Sequence, residues 1–178
     1  MGIKSTFKLA LNFFIDNIMG LIPAVMLMIP LSTMAENKTV LVLYSAFCGA
    51  VTLGLIYSTA WKQGNKDLNM VNYKHMKKNM LRGLISMAIA LAPGFLFYCL
   101  SIPLFLDKTD ERFYIGVFKF INMQWGGFII LLEGLSASLT CLVLIFPLAV
   151  ATASYIAGYK DIVVFEKLIY KKDKSPKK

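Results

Sequence analysis

The sequence predicts an all-α integral membrane protein whose four transmembrane helices form two tandem hairpins that share one orientation. The composition is that of a membrane protein, since 57% of the 178 residues are hydrophobic and 16% are charged, against about 45–50% and about 25% in globular domains. The apolar residues form blocks long enough to cross a hydrocarbon core of about 30 Å as helices. A short motif, Gly-x-Lys-Asp, ends two of these blocks, at 64–67 and 158–161. The repetition divides the chain into a first unit, 1–82, and a second unit, 83–178.

The net charge of +9 orients the protein in the membrane and does not indicate a nucleic-acid partner. The basic residues stand at the ends of apolar blocks, as the lysines and arginines of cytoplasmic loops do. We therefore expect a multi-pass protein of the cell (inner) membrane with both termini in the cytoplasm, where anionic headgroups attract basic segments. Lys, Asn, Ile and Phe are frequent, which suggests an AT-rich bacterial genome.

Residues 3–18 begin the first unit with an amphipathic pattern. The polar residues Lys4, Lys8, Asn12 and Asp16 recur every four positions, and apolar residues occupy the opposite side at helical spacing. We expect this lead-in helix to lie in the cytoplasmic interface before the chain enters the membrane. Asp16 has two interpretations: a proton or ion ligand within the membrane, where carboxylates are costly and usually functional, or a solvated residue of the interface. The polar stripe favours the second.

The first hairpin follows, with transmembrane helices at 17–32 and 40–60. Prolines in the first of these helices each remove a backbone donor and should kink it. The second helix carries small residues every four positions down one face, namely Ala46, Ala50, Gly54 and Ser58. Such a ridge lets another helix approach closely in lipid. Most such ridges pack within their own chain.

The basic segment 61–82 should be a cytoplasmic loop. It contains six lysines and arginines against one acid, Asp67, and the positive-inside rule retains such a segment in the cytoplasm. Its methionine and tyrosine residues fit the apolar side of a surface helix held by anionic headgroups. His75 is the single histidine of the chain, and we interpret it as a solvated surface residue.

The second unit places transmembrane helices at 83–106 and 134–159. Pro93-Gly94 interrupts the first of them. We interpret this as a kink that neighbouring helices satisfy and not as the broken helix of a transporter site. The second helix carries another small-residue ridge, and a basic amphipathic tail, 160–178, follows it.

The outer insertion, 107–133, is the ambiguous segment. Its apolar and aromatic part, 113–133, has three interpretations: an interfacial helix, a re-entrant element or a fifth span. A fifth span would bury Lys119 and would put the lysine-rich C-terminus outside, against the positive-inside rule. We therefore expect an outer interfacial or partly re-entrant element, with Trp125 at headgroup depth and Glu133 at the outer end of the following helix.

The two units align as an internal repeat. A spacing of 44 residues separates Gly20 from Gly64, and 75 separate Gly83 from Gly158, so the second unit carries 31 extra residues. The extra residues coincide with the outer insertion. Two hairpins in one orientation would be related by a pseudo-twofold axis along the membrane normal. Convergent helix-end chemistry is the alternative, because glycine after a helix end permits a left-handed cap and lysine snorkels to the headgroups.

The sequence carries no recognised catalytic, cofactor or metal-binding motif. Cys48, Cys99 and Cys141 fall inside apolar blocks without Cys-x-x-Cys spacing, so we interpret them as small packing groups. His75 and the lysines should lie inside the cell, whereas Glu133 and the other acids of the insertion should lie outside. Groups on opposite sides of a membrane cannot form one site. We therefore expect no enzymatic activity, no cofactor and no metal.

We expect the protein to act by association, as an accessory or docking subunit of a membrane transport or envelope complex. Its partner would be another membrane protein or further copies of the chain. The candidate docking residues are those of the two motifs, namely Gly64, Lys66, Asp67, Gly158, Lys160 and Asp161. The alternative is a small oligomeric transporter or channel, for which Asp16 and Glu133 are the candidate intramembrane polar residues.

Overall fold

The computed structural model describes residues 3–31, 37–75, 79–100, 108–135 and 137–162, and nearly all of them lie in helices. Two short 3₁₀ segments accompany six α-helices in this part of the chain. The α-helices are α1 (Ile3–Leu31), α2 (Lys38–Asn72), α3 (Arg82–Leu100), α4 (Lys108–Ile121), α5 (Gly126–Leu135) and α6 (Ile145–Tyr159), and the 3₁₀ segments are Met123–Trp125 and Ala137–Leu144.

Four helical segments are long and apolar enough to span a membrane, which confirms an all-helical chain suited to a membrane. They are Ser5–Leu27, Lys38–Asn72, Arg82–Leu100 and Leu139–Tyr159. A helix rises about 1.5 Å per residue, so about 20 residues cross a hydrocarbon core of about 30 Å. Each of the four segments reaches this length or lies close to it. The chain is therefore suited to cross a membrane several times.

The lead-in segment and the first predicted span form one uninterrupted helix. α1 continues from Ile3 to Leu31 without a break near Asn17, and its membrane-competent stretch begins at Ser5. The predicted span 17–32 is shorter than the roughly 20 residues that a bilayer needs, and the apolar side of the lead-in extends the membrane-competent stretch. Asp16 lies within this stretch.

α2 is longer than predicted, because the helix does not end near Trp61. It has 35 residues and runs to Asn72, a length of about 50 Å. Half of the predicted loop 61–82 is therefore helical, and only a short connection separates α2 from α3. Two residues after the helix, Lys74 has a left-handed φ of 60°, and the His75 amide donates to the Met70 carbonyl.

The second unit departs from the prediction mainly at its outer end. α3 contains Pro93 and ends at Leu100, and the rest of the predicted span 83–106 lies outside the described residues. α6 is preceded by the 3₁₀ segment Ala137–Leu144. The residues of the tail beyond 162 also lie outside the described part.

The insertion forms two helices that meet at a sharp angle. Phe113–Ile121 and Met123–Leu135 are bent by 82° relative to one another. Such a pair is either a broken fifth span or a re-entrant element. The tip between them is the segment 122–125, where the backbone leaves α4.

Hydrogen bonds near both ends of the bundle fix the helix directions. The Arg82 guanidinium, at the start of α3, bonds both the Ser5 carbonyl at the start of α1 and Asp67 near the end of α2. The Tyr155 hydroxyl, near the end of α6, donates to the same carboxylate. At the opposite end, the Tyr44 hydroxyl of α2 donates to the Ala24 carbonyl of α1. α1 and α3 therefore run in one direction, and α2 and α6 run in the other.

Candidate functional site

The two motif glycines face one another where α2 and α6 cross. A Cβ atom added to Gly64 would overlap the Tyr155 carbonyl oxygen and lie 2.8 Å from the Tyr159 nitrogen. A Cβ atom added to Gly158 would overlap the Trp61 carbonyl oxygen and lie 2.9 Å from the Trp61 Cα. Each glycine thus touches the backbone of the aromatic residue that stands three positions before the other glycine. The contact requires the absence of a side chain at both positions.

Neither glycine serves as a left-handed cap. No glycine among the described residues has a positive φ, and Gly64 lies inside α2, eight residues before its end. The left-handed residue at the end of α6 is Asp161, with a φ of 52°. Convergent cap chemistry therefore does not account for the glycines, and close helix approach does.

The end of α6 is fastened to α2 by two side chains. Asn65 Nδ2 donates to Asp161 Oδ1 at 2.9 Å, and Trp61 Nε1 donates to the Ile162 carbonyl at 3.1 Å. Both donors lie within one turn of Gly64. The second copy of the motif consequently folds back on the first.

Asp67, the acid of the first motif, is buried in an ion-pair cluster. Its Oδ2 atom accepts from Arg82 Nη1 and from the Tyr155 hydroxyl, each at 2.5 Å, and its Oδ1 atom accepts from Gln63 Nε2 at 2.8 Å. The Asp67 and Arg82 side chains are only 3% and 4% exposed. Three donors compensate the carboxylate for the water that it has lost, which is the condition for a stable buried charge.

The same cluster ties α1 to the other helices. Arg82 Nη2 donates to the Ser5 carbonyl at 2.7 Å, and the Ser86 hydroxyl donates to the Thr6 carbonyl at 3.2 Å. Both carbonyls belong to the first turns of α1. One arginine therefore connects α1, α2 and α3, and the shared carboxylate adds α6. In the sequence Arg82 counts only as one of the loop's basic residues, although a single acid among six bases is itself an indication of a pair.

The predicted docking residues divide into a buried and an exposed set. Gly64, Asp67 and Gly158 are buried within the chain, whereas Lys66, Lys160 and Asp161 are exposed. The buried three hold the helices together and have no surface to offer a partner. A docking surface at the motifs is therefore limited to the exposed three.

The first three residues of the small-residue ridge of α2 face away from the other described helices, whereas Ser58 is half-buried. Ala46, Ala50 and Gly54 are exposed, and a Cβ atom added to Gly54 would meet no atom within 4 Å. Phe47, beside the ridge, is 57% exposed. No helix of the described part of the chain therefore packs against these three residues.

Asp16 and Glu133 lie in different surroundings. Asp16 is half-buried within the first span, the Thr59 hydroxyl of α2 faces its carboxylate, and its Oδ2 atom is buried without a hydrogen-bond partner among the described residues. Glu133 lies on α5 and accepts from Lys119 Nζ of α4 at 2.7 and 2.8 Å. Those two side chains are more than a third exposed. The ion pair bridges the two helices of the insertion, and the structure does not bring Asp16 into it.

Trp125, expected at headgroup depth, is buried against other helices of the described chain. It is 3% exposed, and its ring packs against Gly49 of α2, where an added Cβ atom would lie 2.5 Å from the ring atom Cζ3. The neighbouring Gly127 amide donates to the Ser45 hydroxyl at 2.5 Å. The tip of the insertion therefore inserts among the spanning helices. Gln124 Oε1 is buried at this tip without a partner in the described chain.

Within the described ranges, no group of three His, Cys, Asp or Glu side chains is arranged to hold a metal ion. Comparison with protein families, with curated proteins and with solved structures finds no match to this chain.

Proposed function

We propose that the protein is a non-enzymatic multi-pass membrane protein that acts as an accessory or docking subunit of a membrane transport or envelope complex. The observation that carries the proposal is the outward-facing ridge of Ala46, Ala50 and Gly54 on α2. In lipid no hydrophobic force drives helices together, so close backbone approach over small residues supplies much of the association energy. A ridge that the chain leaves open is a place for a helix of another membrane protein.

The contact between α2 and α6 supports this use of the ridge. At Gly64 and Gly158 the chain employs small residues to bring two of its own helices into backbone contact. The ridge also presents small residues on one face of α2, about three turns before Gly64, and no described helix covers that face. The side chain of Phe47 stands next to it and would cover an incoming helix.

The charge distribution supports a cytoplasmic location for the end of the bundle that holds the Asp67 cluster. Lys8, Lys62, Lys66 and Lys160 lie in the helix turns at this end and are exposed. Under the positive-inside rule, the end of the bundle with these lysines faces the cytoplasm. The N-terminus and the end of α6 would then lie on the cytoplasmic side of the cell (inner) membrane. The reciprocal glycine contact is what a pseudo-twofold axis along the membrane normal would produce, and it supports two tandem hairpins related as an internal repeat.

Purification from the native membrane in mild detergent, followed by mass spectrometry of the retained proteins, tests the proposal. We compare the wild type with Gly54→Ile, which adds bulk to the ridge without meeting any atom of the described chain. Ala92→Ile, at an exposed position of α3, is the matched control. Lys66→Ala/Lys160→Ala tests the exposed part of the motifs. A stoichiometric partner that is lost with Gly54→Ile and retained with Ala92→Ile supports a docking subunit, whereas a partner-free protein in all samples overturns it.

A small oligomeric transporter or channel is the second candidate, favoured by Asp16. A carboxylate inside a span, with one oxygen unpartnered, is unusual unless it binds a proton or a cation. Flux into vesicles that contain the purified protein tests this candidate. Loss of flux in Asp16→Asn, with normal insertion and stability, would favour it over docking.

A further inference from the structure

A polar cavity opens beside the Asp67 cluster, at the basic end of the bundle. Its volume is about 350 Å³, and it lies between the first turns of α1, the last turns of α2 and the start of α3. The polar and charged residues that line it are Ser5, Lys8, Asn12, Gln63, Lys66, Asp67, His75 and Arg82.

The lining carries an excess of positive charge. The Asp67 carboxylate is already engaged by three donors, so it balances the arginine and nothing else. Lys8 and Lys66 remain, and no carboxylate of the described chain lies within ion-pair distance of either. Two lysines that approach one cavity from different helices repel each other, unless an anion lies between them.

Further donors line the cavity beside the two lysines, among them the Asn12 side chain and His75. Arg82 also lines it, but its Nη atoms already donate to Asp67 and to the Ser5 carbonyl, and its Nε atom is buried. His75 is held at the rim by the turn after α2, where its amide donates to the Met70 carbonyl at 2.9 Å.

We infer that this cavity binds a phosphate group, carried either by an anionic phospholipid headgroup or by a soluble phosphate ester. Two lysine ammonium groups that line one cavity suit a phosphate, which accepts several charge-assisted hydrogen bonds at once. The apolar walls, Leu9 and Met70, suit the glycerol or acyl part of such a compound. The inference stands apart from the ridge on α2 and does not depend on the docking role.

Native mass spectrometry of the full-length protein in neutral detergent tests the inference. The added ligands are phosphatidylglycerol, a diacylglycerol that lacks phosphate, and glycerol 3-phosphate as the soluble phosphate. The cavity variant is Lys8→Ala/Lys66→Ala. The control is Lys62→Ala/Lys160→Ala, which removes two exposed lysines at the same end of the bundle but outside the cavity.

We expect phosphatidylglycerol, glycerol 3-phosphate or both to bind, and the diacylglycerol not to bind. The cavity variant should lose at least tenfold in affinity, and the control should stay within about twofold of the wild type. Competition by glycerol 3-phosphate against phosphatidylglycerol identifies a soluble phosphate ester as the ligand, and its absence identifies the lipid. Equal losses in the two variants, or no binding of either phosphate compound, would overturn the inference. Both variants change exposed side chains, and equal thermal midpoints without ligand verify that they fold.

Discussion

Gly64→Ala should destabilise the protein by separating α2 from α6. The added methyl group would overlap the Tyr155 carbonyl oxygen and approach the Tyr159 nitrogen to 2.8 Å. Both are backbone atoms, so no side chain can rotate out of the way and the two helices must move apart. Overpacking of this kind costs about 1–3 kcal/mol, and we expect the upper half of that range because the obstacle is rigid.

Gly54→Ala is the matched control on the same helix. Alanine is favoured over glycine in a helix by about 0.8–1.0 kcal/mol, and this gain applies at both positions. It therefore cancels when the two variants are compared, and their difference measures the steric cost alone. We expect the free energy of unfolding of Gly64→Ala to lie about 2–3 kcal/mol below that of Gly54→Ala.

The assay is reversible unfolding of the purified protein in detergent micelles, followed by circular dichroism. Gly64→Ala/Gly158→Ala should cost less than the sum of the two single variants, because both methyl groups push apart the same pair of helices. If Gly64→Ala and Gly54→Ala shift the free energy of unfolding equally, the close approach of α2 and α6 at this position is refuted.

Three further predictions concern charged residues. Asp67→Asn leaves a buried arginine without its counter-charge and should lower the free energy of unfolding by on the order of 3–5 kcal/mol in the same assay. Asp161→Asn, at an exposed position, should change that free energy by no more than about 0.5 kcal/mol. Equal costs would contradict the different environments of the two acids. Lys119→Ala removes a partly exposed ion pair to Glu133 and should cost less than about 1 kcal/mol, with a smaller effect at high salt if the pair faces water. Lys74→Gly should stabilise the protein by up to about 1 kcal/mol, which a higher thermal midpoint would show. Glycine removes a left-handed strain of about 1–2 kcal/mol, and this exceeds the conformational entropy that it adds to the unfolded chain.

The all-helical class and the four membrane-competent segments could be predicted because they depend on the lengths of apolar blocks, which are visible in the sequence. Helix ends were harder to predict. The amphipathic pattern of residues 3–18 is the same for a surface helix and for the polar stripe of a spanning helix, and only packing against α2 and α3 distinguishes the two. Trp61 resembles the end of a span by its aromatic and basic neighbourhood, yet the α2 backbone continues, because α6 and the Asp67 cluster support it.

The ion-pair cluster could not be predicted, because its members are separated by up to 88 residues along the chain. The sequence offered a lone acid among bases, but the choice of Arg82 and Tyr155 as its partners depends on the crossing of α2 and α6. The motif glycines were found from their repetition, while their role in backbone contact required the structure. The burial of Trp125 could not be predicted, because an aromatic residue near a predicted interface has the same sequence pattern whether its ring faces the headgroups or a glycine on a neighbouring helix.

Photo-crosslinking in native membranes tests the docking role most directly. Benzoylphenylalanine replaces Phe47 beside the ridge, and in a second sample it replaces Phe95, which is 54% exposed on α3. The docking role predicts a discrete adduct with a different membrane protein from position 47, absent from position 95 and abolished by Gly54→Ile. Lipid adducts alone at both positions, or an adduct only with a second copy of the 19.9 kDa chain, would contradict it.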